Sequence, residues 1–122
     1  MTTKISVDSS VCGHKTSITA TMGLNYIITL DITTTCQLVK TFADLLKEIE
    51  LRDVGRRICQ NPIYLRATDA HMHSNCLVPC AVALSGWVEG GMMSKNLLKS
   101  HSSQCIIYQP EQGTSASLAN IS

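Results

Sequence analysis

Lys15-Thr16-Ser17-Ile18-Thr19-Ala20-Thr21, then Met22-Gly23, then Leu24-Asn25-Tyr26-Ile27-Ile28-Thr29-Leu30-Asp31-Ile32 is the stretch that decides the fold. Its first run is rich in β-branched residues, which suit a pleated, half-buried surface better than a helix. Met22-Gly23 supplies a turn, so the two runs read as an antiparallel hairpin. In the second run Tyr26, Ile28, Leu30 and Ile32 alternate with Asn25, Ile27, Thr29 and Asp31, which leaves one face apolar. A sheet with one apolar face needs a layer of helices over it.

Working outward, residues 4–8 alternate Ile5 and Val7 with polar neighbours and read as a strand before the hairpin, joined to it by a turn through Cys12-Gly13. Downstream, Thr33-Thr34-Thr35-Cys36 ends the third strand, and one of the threonines is the natural cap of a helix. Leu38, Phe42, Leu45, Leu46 and Ile49 recur there at helical spacing, with Lys40, Asp44, Lys47 and Glu48 on the other side. Residues 53–60 add a helical turn. Asn61-Pro62 is an N-cap and N1 pair for a further helix toward His71. Pro79 opens the apolar run that ends at Gly90-Gly91, a third helix. Residues 104–109 (Gln-Cys-Ile-Ile-Tyr-Gln) read as a final strand. The expected fold is a two-layer α+β sandwich. Its small, mostly antiparallel sheet, in the order β-β-β-α-α-α-β, is covered by helices on one face. One domain spans residues 1–109, and a flexible Ser/Thr/Gly/Gln tail spans 110–122.

Composition narrows the function. At 122 residues, with 44% hydrophobic and 16% charged side chains, the chain can bury a core of its own. A net charge of +1 and no basic stripe give no footprint for nucleic acid. The apolar runs fall short of the ~20 residues that a membrane span needs. The amino terminus lacks the apolar core of a signal peptide, so a cytoplasmic protein is expected. In a reducing compartment, clustered cysteines read as metal or redox chemistry before they read as disulfides.

Six cysteines are present: Cys12, Cys36, Cys59, Cys76, Cys80 and Cys105. Within Ala70-His71-Met72-His73-Ser74-Asn75-Cys76-Leu77-Val78-Pro79-Cys80, two histidines and two cysteines fall in one short loop and the first turn of the following helix. Helix amino termini present free N–H groups and a positive dipole end, which favour thiolate. Cys12, Cys36 and Cys76 all fall at element boundaries. Such boundaries can gather at one end of a sheet, where the three would meet His73 in a ligand set of three cysteines and one histidine. Cys80 is either a further ligand or a packed residue, and His14 either a ligand or a group that orients one. Cys59 and Cys105 are expected to be packed core cysteines. His71 and His101 are expected at the surface.

The pattern Val11-Cys12-Gly13, Thr35-Cys36-x-x-Val39 and His73-x-x-Cys76-x-Val78-Pro79 resembles an uncharacterised family of small proteins from methanogens and other anaerobes, over nearly all of residues 4–109. More distantly, the same order is similar to the iron–sulfur cluster assembly scaffolds of the IscU/NifU amino-terminal type. That resemblance implies an IscU/NifU-N-like fold, with Cys12, Cys36 and Cys76 as scaffold cysteines and His73 as the accompanying histidine. Two positions depart from it: His14 stands where the scaffolds have an aspartate, and His73 is three residues from its cysteine instead of adjacent. The scaffolds' proline-containing chaperone segment has no match in Asp69-Ala70-His71-Met72.

Three classes of function follow. The first is a protein that binds iron–sulfur cluster or zinc through Cys12, Cys36 and Cys76 with His73 or Cys80, for cluster carriage, assembly or electron transfer. The second is a thiol enzyme or redox sensor with Cys76 or Cys36 as nucleophile and His73 as base. No third residue that would orient the histidine and no phosphate loop accompany it. The third is an interaction module stabilised by zinc. The first is the expectation here. Trp87 and Met92-Met93 add a surface for a protein partner or a homodimer.

Overall fold

The alternation in the hairpin extends to the strand before it and produces a meander. A computed structural model describes residues 2–111, with β1 (Thr2–Ser9), β2 (His14–Met22) and β3 (Ile27–Thr34) paired antiparallel in that order. Ile5 faces Ile18 across the first pair, and Ala20 faces Leu30 across the second. Ile18, Ala20, Ile28 and Leu30 are buried on one side, so the apolar face read from the sequence is the face that packs. Tyr26 is the exception: the chain enters β3 through a 3-10 turn, Leu24–Tyr26, that leaves it exposed.

The helical stripe over residues 38–49 does not stay helical. Helix α1 (Gln37–Leu45) buries Val39 and Phe42 and stops at Leu46 without a glycine or proline. The chain then turns back as a short fourth strand, β4 (Glu48–Glu50), whose Ile49 lies opposite Ile28 of β3. Leu46 and Ile49 are buried as the stripe implied, but Ile49 is buried from a strand. Three residues are too few for period 2 to outvote a 3.6 spacing, and pairing with β3 decided the outcome. The sheet order is therefore β1-β2-β3-β4.

The expected terminal strand is not there. Residues 104–109 pair with no strand among the described residues, and Ile106 and Tyr108 are 80% and 83% exposed. Of the segment read as a tail, only Pro110 and Glu111 fall within the described residues.

Between α1 and the long helix lie α2 (Leu51–Val54), a 3-10 turn (Ile58–Gln60) and α3 (Pro62–Asp69). Asn61 caps α3 as its sequence predicts, its side-chain oxygen accepting from the Ile63 N–H at 3.0 Å. Helix α4 (Val78–Glu89) lies across β1 and β2, while α1 covers β3; α5 (Lys95–Ser100) follows. Val78 and Val82 of α4 join the core with Phe42, Ile18 and Ile63. Gly86 lets α4 approach α2: a Cβ there would stand 3.1 Å from Val54 Cγ1.

Candidate thiol site

The meander puts the β1–β2 turn and the end of β3 at the same end of the sheet. Ser9 pairs with His14, and Thr16 pairs with Thr34. The tip between Ser9 and His14 closes with the Gly13 N–H on the Ser9 carbonyl at 2.8 Å, and Gly13 takes a left-handed φ of 77° that favours glycine over any residue with a Cβ. Cys12 is exposed on that tip, its thiol 3.5 Å from the Ser9 carbonyl oxygen. Across the sheet end, Thr35 Oγ1 lies 3.0 Å from His14 Nδ1 and accepts from the Lys15 N–H at 3.3 Å. His14 is thus tied to Thr35, the chain neighbour of Cys36.

Cys36 is itself the N-cap of α1, where a threonine was expected. Thr34 Oγ1 accepts from the Cys36 N–H at 3.1 Å, so the threonine satisfies the cap residue and not the helix. Helix α4 brings the third element. Its carboxyl end sits by Thr3 and Met22 at the opposite end of β1 and β2, so its amino end and the loop before it lie over the cysteine end. Cys76, half-buried in that loop, packs against the core, and its N–H closes a turn on the His73 carbonyl at 3.1 Å.

Of the three thiols, Cys76 feels its surroundings. Burial pushes the Cys76 thiol up; a hydrogen bond from the Val78 backbone lowers it; the charges of Cys36 and Cys12 raise it again. The helix start does present an N–H to the sulfur, as the sequence implied, but desolvation and like charge outweigh it. Cys76 is therefore a thiol held back from ionising, and the expectation of a ready thiolate is corrected there. The sign for stability follows. Below the ordinary thiol value of 9.0 the contribution is fully present; as pH rises past it, the unfolded chain gives up the proton first and the fold weakens. Urea unfolding of the metal-free protein over a pH series should show this loss, and Cys76→Ser should flatten it.

His73 is exposed and shares a cleft of about 400 Å³ with Cys76, Met72, Thr68, Tyr64 and Cys59. His71 follows the C-cap of α3 in a left-handed conformation, φ 59°, exposed as expected, and His101 is exposed too. Cys80 stands on the exposed side of α4. Burial comes first in raising the Tyr64 hydroxyl, and the charge of Cys80 second, so Cys80 acts on Tyr64 while Cys36 and Cys12 act on Cys76. Among the described residues, no three His, Cys, Asp or Glu side chains stand close enough together to hold a metal ion. The donor types, thiol and imidazole, are those that suit a soft cation.

Among known families, DUF6951, a family of unknown function, matches residues 3–101. The chain belongs to it. Every candidate ligand of this DUF6951 protein lies inside the matched stretch, and Cys105 lies outside it. No curated protein and no solved structure matches the chain.

Two residues of this DUF6951 chain differ from their reading as core cysteines. Cys59 and Cys105 are both exposed, and Cys59 adds a thiol to the cleft of His73 and Cys76. Its apolar neighbour Ile58 is exposed with it, because a 3-10 turn too short to bury a face carries both. Glu89 escaped attention as a helix-end carboxylate. It is 3% exposed and accepts from the Thr3 hydroxyl at 2.7 Å and the Met22 N–H at 2.8 Å. An acidic residue at a helix carboxyl end opposes the dipole, which was the one available signal that something else holds it there. No helix among the described residues is long and apolar enough to cross a membrane.

Proposed function

We propose that this protein binds a metal ion or an iron–sulfur cluster through Cys12, Cys36 and Cys76, with His73 or Cys80 completing the set, and serves in cluster carriage, assembly or electron transfer. The observation that carries the reading is the placement of Cys12 in the β1–β2 turn and Cys36 just after β3, at one end of the sheet, with Cys76 in the loop before the helix that packs on β1 and β2. A cation binds thiolates and displaces their protons, so it would offset the burial that holds Cys76 as a thiol. A bound zinc would lock the end of the fold, and a bound cluster would store or pass electrons. The order of these residues resembles that of IscU/NifU-type scaffolds and points the same way. The six cysteines are free, which is the state a reducing, cytoplasmic setting would keep.

A thiol enzyme is the second reading, favoured by the cleft that Cys76 shares with His73. The upward push on Cys76 runs against it, because an activated nucleophile needs its pKa lowered.

Metal and acid-labile sulfide content of protein purified without oxygen, read with the visible spectrum, tests the proposal. Iron and sulfide with visible colour, or stoichiometric zinc, each lost in Cys36→Ala and Cys76→Ala, are the supporting results. Zinc without colour selects the structural module among them. A colourless, metal-free, folded protein that takes up neither ion overturns the reading.

A further inference from the structure

The meander leaves β1 as an open edge among the described residues, where it pairs with β2 alone. A cleft of about 450 Å³ runs along residues 3–8 of that edge. Leu77, the N-cap of α4, and Cys80, Ala81 and Leu84 within it line the cleft, and residues 102–104 border it. An edge strand presents a row of unpaired N–H and C=O groups, a template for another strand. Directly after the bordering residues comes Cys105-Ile106-Ile107-Tyr108, β-branched and aromatic in composition, yet paired with no strand. One chain thus carries a vacant strand position and an unplaced strand sequence side by side.

We infer that the vacancy is filled by residues 104–109 of a second copy, so that two chains exchange these segments and each β1 gains a new neighbour. The choice of a second copy over the chain's own segment rests on where that segment goes. Residues 102–104 already touch the cleft, but the chain then leaves it, with Ile106 and Tyr108 in solvent. Main-chain hydrogen bonds give such an addition its affinity, and alternate side chains set its register. The incoming segment carries no charge, so Lys4 and Asp8 on the edge meet no like charge. A reciprocal exchange closes at two copies and leaves no donor segment over. The inference does not rest on the metal reading: it uses the β1 edge and a stretch beyond residue 101, where the family match ends, and the two share Cys80 alone, which lines this cleft.

The test is the mass of the full chain in solution at micromolar concentration, by sedimentation velocity, together with amide hydrogen exchange in β1. The unaltered protein is expected to sediment at twice the monomer mass, with the outward-facing β1 amides slow to exchange. The double variant Ile106→Asp, Tyr108→Asp is expected to sediment as a monomer and to lose that protection. Ile107→Pro, which removes a ladder donor from the incoming strand, should do the same. Both variants should keep the parent circular dichroism, since the segment adds nothing to the core. A monomeric parent overturns the inference, and so does one whose β1 edge is protected without dimerising, which would place the chain's own segment there. A dimer that survives both variants overturns it too.

Discussion

Glu89→Ala is expected to lower unfolding stability by about 3 kcal/mol, because it leaves two groups without their acceptor and severs one end of α4 from the sheet. The carboxylate takes the Thr3 hydroxyl on one oxygen and the Met22 N–H on the other, at 2.7 and 2.8 Å. Both bonds are charge-assisted, the stronger kind. Lys95 adds little: its ammonium stands 3.9 Å away and is largely solvated. Glu89→Gln, which keeps the shape and one acceptor oxygen, should lose about half as much. Urea midpoints decide it. A drop below about 1 kcal/mol in Glu89→Ala would mean that water satisfies Thr3 and Met22, and that the clamp is not what seats α4.

Asn61→Ala should cost a similar amount for a different reason. The Asn61 side chain is 3% exposed and works in both directions. Its amide donates toward the carbonyls of Asp53, Val54 and Arg56 at 3.1, 3.1 and 3.2 Å, and its oxygen caps α3. Two amide hydrogens serve three carbonyls, so one bond is shared. Losing the cap costs about 1 kcal/mol, and stranding buried carbonyls adds about 1–3 more. Asn61→Asp discriminates between the two roles. Aspartate caps as well as asparagine, but it faces carbonyls with a carboxylate in place of a donor. It should therefore be at least as destabilising as alanine at neutral pH, and should recover as pH falls and its carboxyl takes up a proton. Asn61→Asp at parent stability would reduce Asn61 to a helix cap.

The parts of the fold that local chemistry dictates were readable in the chain. The alternation of Ile28 and Leu30, the turn at Cys12-Gly13, the Asn61-Pro62 cap and the stop at Gly90 each act within a few residues of themselves. What escaped was decided at a distance. Ile49 obeys a helical spacing and sits in a strand because β3 offered it a partner. Ile106 and Ile107 have strand composition and pair with no strand among the described residues. Helix α4 is apolar on nearly every side, so periodicity said nothing about which face holds Ser85 and Glu89. For the site, the chain order places Cys12 and Cys36 at one end of the sheet, because a meander returns every second boundary to one end. The balance at Cys76 was not readable, since burial is a property of the assembled core.

The strand order has a consequence in time. Every pairing in the β1-β2-β3-β4 sheet joins neighbours along the chain, and contacts of short loop length form early and fast. The sheet end that carries Cys12 and Cys36 can therefore assemble before α4 has docked. Cys76 arrives last, on a helix whose partners β1 and β2 lie far back in sequence. By the same order, the first step of undocking lifts Cys76 away while the other two thiols stay in place. A cation held by all three would slow that step, so its residence time and the unfolding rate of the chain should change together.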